Sequence, residues 1–187
     1  TGVQFSDPDG NPLTISVTSS KTSLITANAS LVSNQISLTT VTDQFDTTTG
    51  STITVTATDQ GGLSVNTSFV VRLREVNDAP EMGKVAATLT IAEDAVIDTN
   101  FFNVVKYGPS NEGTQAVQAY KVISVSDASL FMTGPSITTA GALQFTLAAN
   151  VVNTSWIRVR LQDNGGNDRS GIDTSAIDSI LVSVTSV

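Results

Sequence analysis

The sequence predicts an all-β chain: two tandem antiparallel Greek-key β-sandwiches, the first lacking its initial strand. Three observations lead there. Short runs alternate apolar and polar residues with period two, and no 3.6-residue period persists. Clusters of Asp, Asn, Pro and Gly punctuate these runs at the spacing of a sandwich. The second half also repeats the late part of the first. Asp59-Gln60-Gly61-Gly62 and the alternating strand after it reappear as Asp163-Asn164-Gly165-Gly166 and a closing strand.

Composition narrows the classes. The 187 residues are 40% hydrophobic but only 5% aromatic, and Thr, Ser and Val favour strands. The net charge of −8 argues against a nucleic-acid partner, which needs a basic face, and suits cations. With no Cys and no His, thiol chemistry, ordinary zinc sites and His-based acid–base catalysis are excluded. No nucleophile–base signature appears and no acidic pair is placed around a cleft, so the chain reads as a non-enzyme. No apolar run approaches the roughly 20 residues that span a bilayer. The chain starts at Thr1 with no signal-peptide pattern and reads as part of a longer polypeptide.

The first repeat is assigned to residues 1–80. Residues 3–5 read as the end of a strand, and Asp7-Pro8-Asp9-Gly10-Asn11-Pro12 as a turn. Strands follow at 13–17, 24–31, 35–39 and 52–58, with a polar loop at 43–50, and a last strand spans 69–76. The second repeat is assigned to residues 81–187. Its strands are expected at 85–91, 101–105, 117–123, 143–147, 156–161 and 180–187, with 130–137 irregular. In the 117–123 strand, Val117, Ala119, Lys121 and Ile123 share a face, and Lys121 breaks the apolar pattern. Trp156 falls out of phase with inward Ile157, Val159 and Leu161, beside Arg158, either exposed or covered by a loop.

Aligning the repeats by pattern, the second has roughly twenty more residues than the first before its Pro-containing turn. The missing strand of repeat 1 reflects either a boundary that cuts the repeat or a strand supplied by a neighbouring subunit. Donation predicts an open sheet edge near residues 3–5.

The run Thr56-Ala57-Thr58-Asp59-Gln60-Gly61-Gly62-Leu63-Ser64, then residues 70–76, then Asn77-Asp78-Ala79-Pro80, resembles the end of a cadherin-like repeat. The turn at Asp7-Pro8-Asp9 resembles that family's early Asp-x-Asp. Repeat 2 resembles relatives in long microbial surface proteins. The resemblance implies an extracellular or cell-surface rod of tandem seven-stranded sandwiches, often with Ca²⁺ between repeats. Its partners would be neighbouring repeats or like subunits. Carried over residue by residue, it implies ligands Asp7, Asp9 and Asp59 at one end of repeat 1. It implies Asn77, Asp78 and Asp163 at the internal junction, with Asn111 or Glu112, and Glu93 toward a further one. Asn111-Glu112 replaces the expected Asp-x-Asp, and Asp43-Gln44 matches the mid-repeat Asp-Arg-Glu only in part, so one ion or none is implied internally.

Asp and Asn supply the oxygens Ca²⁺ takes, but the same residues are also what turns use. Asp168 and Asp173 read as loop solvation. Asn28-Ala29-Ser30, Asn66-Thr67-Ser68 and Asn153-Thr154-Ser155 match the N-glycosylation pattern. The leading expectation is a structural and adhesive module of a rod or fibre. The alternatives are a carbohydrate-binding module contacting surface glycans through Trp156, or a filament subunit assembling by strand donation.

Overall fold

A computed structural model describes residues 4–30 and 35–187. Val3 of the expected opening strand and Leu31 of the expected 24–31 strand lie outside those residues. The chain forms two compact units, Thr1–Glu75 and Val76–Val187. Both are built of strands, and among the described residues the helical turns are three short 3-10 segments.

Unit 1 contains β1 (Thr14–Ser19), β2 (Ile25–Ser30), β3 (Gln35–Thr40), β4 (Asp46–Thr58) and β5 (Ser64–Leu73). One sheet has the order β1-β4-β5, antiparallel throughout, and a hairpin pairs β2 with β3. The alternation read from residues 52–58 holds: Ile53, Val55 and Ala57 are buried and the Thr residues between them are not. Ile53 packs with Leu24 and Ile25, against half-buried Val17, Ala27, Val71 and Leu73.

The expected loop at 43–50 is instead largely strand. β4 begins at Asp46 and carries a wide irregularity, since Asp46 faces Leu73 while Ser51 faces Val71. Asp46 holds the extra residues, accepting hydrogen bonds from Thr48 N at 3.0 Å and Thr49 N at 2.9 Å. Gly50 sits at φ +67°, and a Cβ there would run into the Val71 carbonyl. Polar Asp and Thr hide a strand here because they bond their own backbone while the ladder continues around them.

Unit 2 contains β6 (Glu81–Lys84), β7 (Thr88–Ala92), β8 (Val96–Asn100), β9 (Phe102–Lys106), β10 (Val117–Val125), β11 (Phe131–Ile137), β12 (Ala142–Leu147), β13 (Thr154–Asp163) and β14 (Asp178–Thr185). Its sheets have the orders β10-β13-β14-β7 and β11-β12-β8, with β6 paired to β9. β7 runs parallel to β14, and the other pairs are antiparallel. The core joins Phe101, Phe102, Leu130, Phe131, Phe145, Ile157, Val159, Leu161, Ile180 and Val182, among others. Phe131 and Phe145 meet edge to face at 5.1 Å, the arrangement aromatic quadrupoles favour.

Two readings need correction. In β10 the register shifts twice, between Val117 and Ala119 and again between Val122 and Ser124. Each bulge reverses the phase, so Tyr120 and Val122 face inward while Lys121 and Ile123 are exposed. Lys121 therefore breaks no apolar face. Residues 130–137, read as irregular, form β11, whose two register shifts explain the lost alternation.

Sequence repetition sets the correspondence between units: β1 to β10, β2 to β11, β3 to β12, β4 to β13, β5 to β14. Among the described residues unit 1 has no counterpart of β6, β7, β8 or β9. Among the described residues β5 and β3 each end a sheet, whereas their counterparts in unit 2 are flanked by β7 and β8. Gln4 and Phe5, the described part of the expected 3–5 strand, are not in a strand.

Candidate functional site

β13 delivers the central acid. Its inward row runs Ser155, Ile157, Val159, Leu161 and then Asp163, so the period that buries three apolar side chains also buries a carboxylate, at 0% exposure. The strand ends there because Gly165-Gly166 turns the chain. Asp163 Oδ1 accepts hydrogen bonds from Gly165 N at 2.9 Å and Asn77 Nδ2 at 3.1 Å. Burial pushes the Asp163 carboxyl above the ordinary carboxylate range, against those two bonds and with Asp173 adding to the shift.

Asn77 is the second buried polar residue, 7% exposed. Its amide nitrogen also donates to Gly166 O at 3.0 Å and Ile172 O at 2.9 Å. Its Oδ1 accepts from Gln115 Nε2 at 2.7 Å, and its backbone carbonyl accepts from Ile172 N at 2.8 Å. Two amide hydrogens thus serve three oxygens, an acceptor-rich cage. Gly165 makes the cage possible: a Cβ there would strike Asn77 Oδ1 and come within 2.7 Å of Gln115 Nε2.

The 3-10 turn Ser110–Glu112 supplies the third member. Glu112 is 1% exposed, and its Oε1 accepts Asp78 N at 2.9 Å. Asp78 itself is exposed, and Pro80 is buried. Asn164 Oδ1 ties the turn after β13 to the residue that precedes β10 by accepting Ala116 N at 2.8 Å. Residues 76–80 are therefore fastened within unit 2 by Glu112 and Gln115 of the β9–β10 connection, and by Asp163 at the end of β13 with the backbone of the loop after it.

The structure thus brings Asn77, Asp78, Glu112 and Asp163 into one hydrogen-bonded network within unit 2. Two acceptors in it, Gln115 Oε1 and Asp163 Oδ2, are buried with no hydrogen-bond partner, as is Asn111 Oδ1 of the 3-10 turn that carries Glu112. Gln115 escaped the sequence reading, because a lone Gln before a strand carries no signal. The Gly-Gly of the turn was the visible hint, and its meaning is steric.

In unit 1, Asp7 Oδ1 accepts Asp9 N at 2.8 Å and Asn11 N at 3.2 Å, and Asp59 Oδ1 accepts Leu63 N at 2.8 Å. Each of these two carboxylates closes its own turn. Among the described residues no three acidic side chains gather as a metal-holding group. Glu93 Oε1 accepts Val187 N at 3.2 Å. Asp173 Oδ2 accepts Gln162 Nε2 at 2.6 Å. Of the glycosylation triplets, residues 28–30 and 66–68 lie on exposed strand faces. Asn153 instead donates to Asp127 Oδ2 at 2.8 Å, and Ser155 is fully buried. No described helix is long and apolar enough to cross a membrane.

No family model and no curated protein matches the chain. Solved structures do. Human protocadherin-24 EC1-2, form II, aligns at TM-score 0.62 and 17% identity over 96% of this chain and 85% of that one. A second structure of human protocadherin-24 EC1-2 gives 0.58 and 17% over 97% and 85%. Mouse protocadherin-24 EC1-3 gives 0.53 and 16% over 92% and 58%. At these identities the likeness is one of fold, and the fold is that of tandem cadherin-type β-sandwiches.

Proposed function

We propose that this chain is a structural and adhesive segment of an extracellular array of tandem β-sandwiches, non-catalytic, partnered by neighbouring repeats or like subunits. The observation that carries the reading is the Asn77 latch. The peptide that leaves the first repeat is fastened into the second by a buried side chain, so three residues, 74–76, separate β5 from the latch. Such fastening costs the conformational freedom of the connector and is of use to a spacer that must hold its ends apart.

Ca²⁺ fits as a reinforcement of the same network. The partnerless oxygens of Asn111, Gln115 and Asp163 are hard acceptors of the kind Ca²⁺ takes, and Asp163 and Glu112 bring two carboxylates. The bound ion would supply positive charge to a buried acidic network. The chain's own residues align the connector whether or not it is present.

Thermal melting and small-angle scattering with Ca²⁺ and with chelator test this. Ca²⁺ should raise the melting temperature of unit 2, by about 4–8 °C per kcal/mol of linkage, and Asp163→Asn should abolish the response. A melting point indifferent to Ca²⁺ sinks the ion. A particle length equal to that of a freely jointed pair in both conditions sinks the spacer.

A further inference from the structure

The outward face of β13 forms a site that the latch does not use. Trp156, Arg158 and Arg160 alternate with the buried row and point away from the core. Trp156 and Arg158 line a cleft of about 400 Å³ together with Ser124, Ser126 and Ser179. Cross-strand register explains the grouping: Arg158 lies opposite Ser124 on one side and Ser179 on the other. Trp156 is 47% exposed among the described residues. Arg158 forms no ion pair among the described residues. Lys121 faces Arg160 in the ladder, so three of the chain's nine Lys and Arg residues share this face of a protein with net charge −8.

We propose that this face binds an anionic saccharide, a pyranose carrying a carboxylate. The indole stacks on the apolar face of the ring, as aromatic side chains do with flat, partly apolar partners. Arg158 pairs with the carboxylate, for which its planar fork is suited. The serine hydroxyls, each able to donate and accept, meet ring hydroxyls. An acidic peptide is less well served, because a peptide that adds to this sheet needs an open edge or pockets for alternate side chains. Here the cleft lies on a sheet face instead. The volume is within the range of small-ligand sites.

The chain has one tryptophan, so its intrinsic fluorescence reports on this cleft alone. The intact chain is titrated with a uronic-acid oligosaccharide, a sulfated uronic-acid oligosaccharide, a neutral gluco-oligosaccharide and an oligo-glutamate peptide. The expected result is saturable quenching by the uronic-acid sugar, with the neutral sugar at least about tenfold weaker, the loss of one charge-assisted contact. Arg158→Gln should remove that preference. Trp156→Ala, followed by calorimetry, should weaken binding by a similar factor. Both variants must keep the wild-type melting curve, and Trp156→Phe, which retains an aromatic face, should retain binding. Binding of the sulfated sugar alone overturns the carboxylate assignment. Equal binding of the neutral sugar overturns the role of Arg158. Equal binding of the peptide, or no response to any probe, overturns the site.

Discussion

Asn77 shows how one side chain acquires leverage. Its amide satisfies oxygens from a strand end, a glycine turn and a downstream loop, the first of them fully buried and the other two partly so. Asn77→Ala leaves those oxygens and the Gln115 amide without their partner. We expect unit 2 to lose about 2–4 kcal/mol, because stranded buried polar groups cost more than the bonds they had. Urea melts of wild type and variant measure this, and a change below about 0.5 kcal/mol, the scale of an ordinary surface substitution, refutes the latch. The importance of residues 76–80 was legible in the sequence, since Asn-Asp-Ala-Pro between two repeats is conspicuous. What was not legible is that Asn77 works by hydrogen bonds from its amide nitrogen, a donor. Reading Asn as an oxygen ligand uses only half of its side chain, and a sequence does not say which half faces the partner.

Elements repeat more faithfully than their composition suggests. Ser51 is fully buried in unit 1, with its hydroxyl 2.8 Å from Ser19 Oγ and accepting Lys21 N at 3.1 Å. Ser155 is fully buried in unit 2 and accepts Asp127 N at 3.0 Å. Thr52 N donates to Ser20 Oγ, and Trp156 N donates to Ser126 Oγ in the same way. Both arrangements pin the turn after β1 or β10 to the start of the inward row on β4 or β13. Buried serines inside a Ser- and Thr-rich chain give no contrast, so this shared device was invisible until the strands were paired. Ser51→Ala and Ser155→Ala should each cost about 1–3 kcal/mol in their own unit, the desolvation penalty of an amide left unpaired. Separate denaturation transitions read the two effects, and a neutral Ser155→Ala would mean the turn is held by its backbone alone.

The bulge at the start of β4 adds a pH dependence. Hydrogen bonding from Lys21 Nζ, at 2.5 Å, and then from the backbone and Thr49 holds the Asp46 carboxyl far below the usual carboxylate range. A carboxyl whose folded pKa is depressed stabilises the fold above its unfolded value, near 3.8, and that contribution is lost as pH falls below it. Unit 1 should therefore weaken progressively below about pH 4. Asp46→Asn should flatten that part of the pH–stability curve, and an unchanged slope would show that other carboxylates carry the acid response.

At the scale of the whole chain, the two units differ in how completely their sheets are covered. In unit 2, β14 is flanked by β13 and β7, and β12 by β11 and β8. In unit 1 the counterparts β5 and β3 each end a sheet among the described residues. β5 consequently leaves Val65, Phe69 and Val70 substantially exposed. The central cluster of unit 1 is Leu24, Ile25 and Ile53, whereas that of unit 2 includes five large aromatic side chains with Leu, Ile and Val around them. Each fully buried large apolar side chain contributes about 1.5–3 kcal/mol, so the smaller cluster decides the order of melting. Unit 1 should unfold first. The sole tryptophan lies in unit 2, which separates the signals: far-ultraviolet circular dichroism follows both units, and Trp156 fluorescence follows unit 2. The expected outcome is an early dichroic transition during which fluorescence is silent, then a later one seen by both. Coincident transitions would mean that the units unfold as one cooperative body, and the open edges of β3 and β5 would then have no energetic consequence.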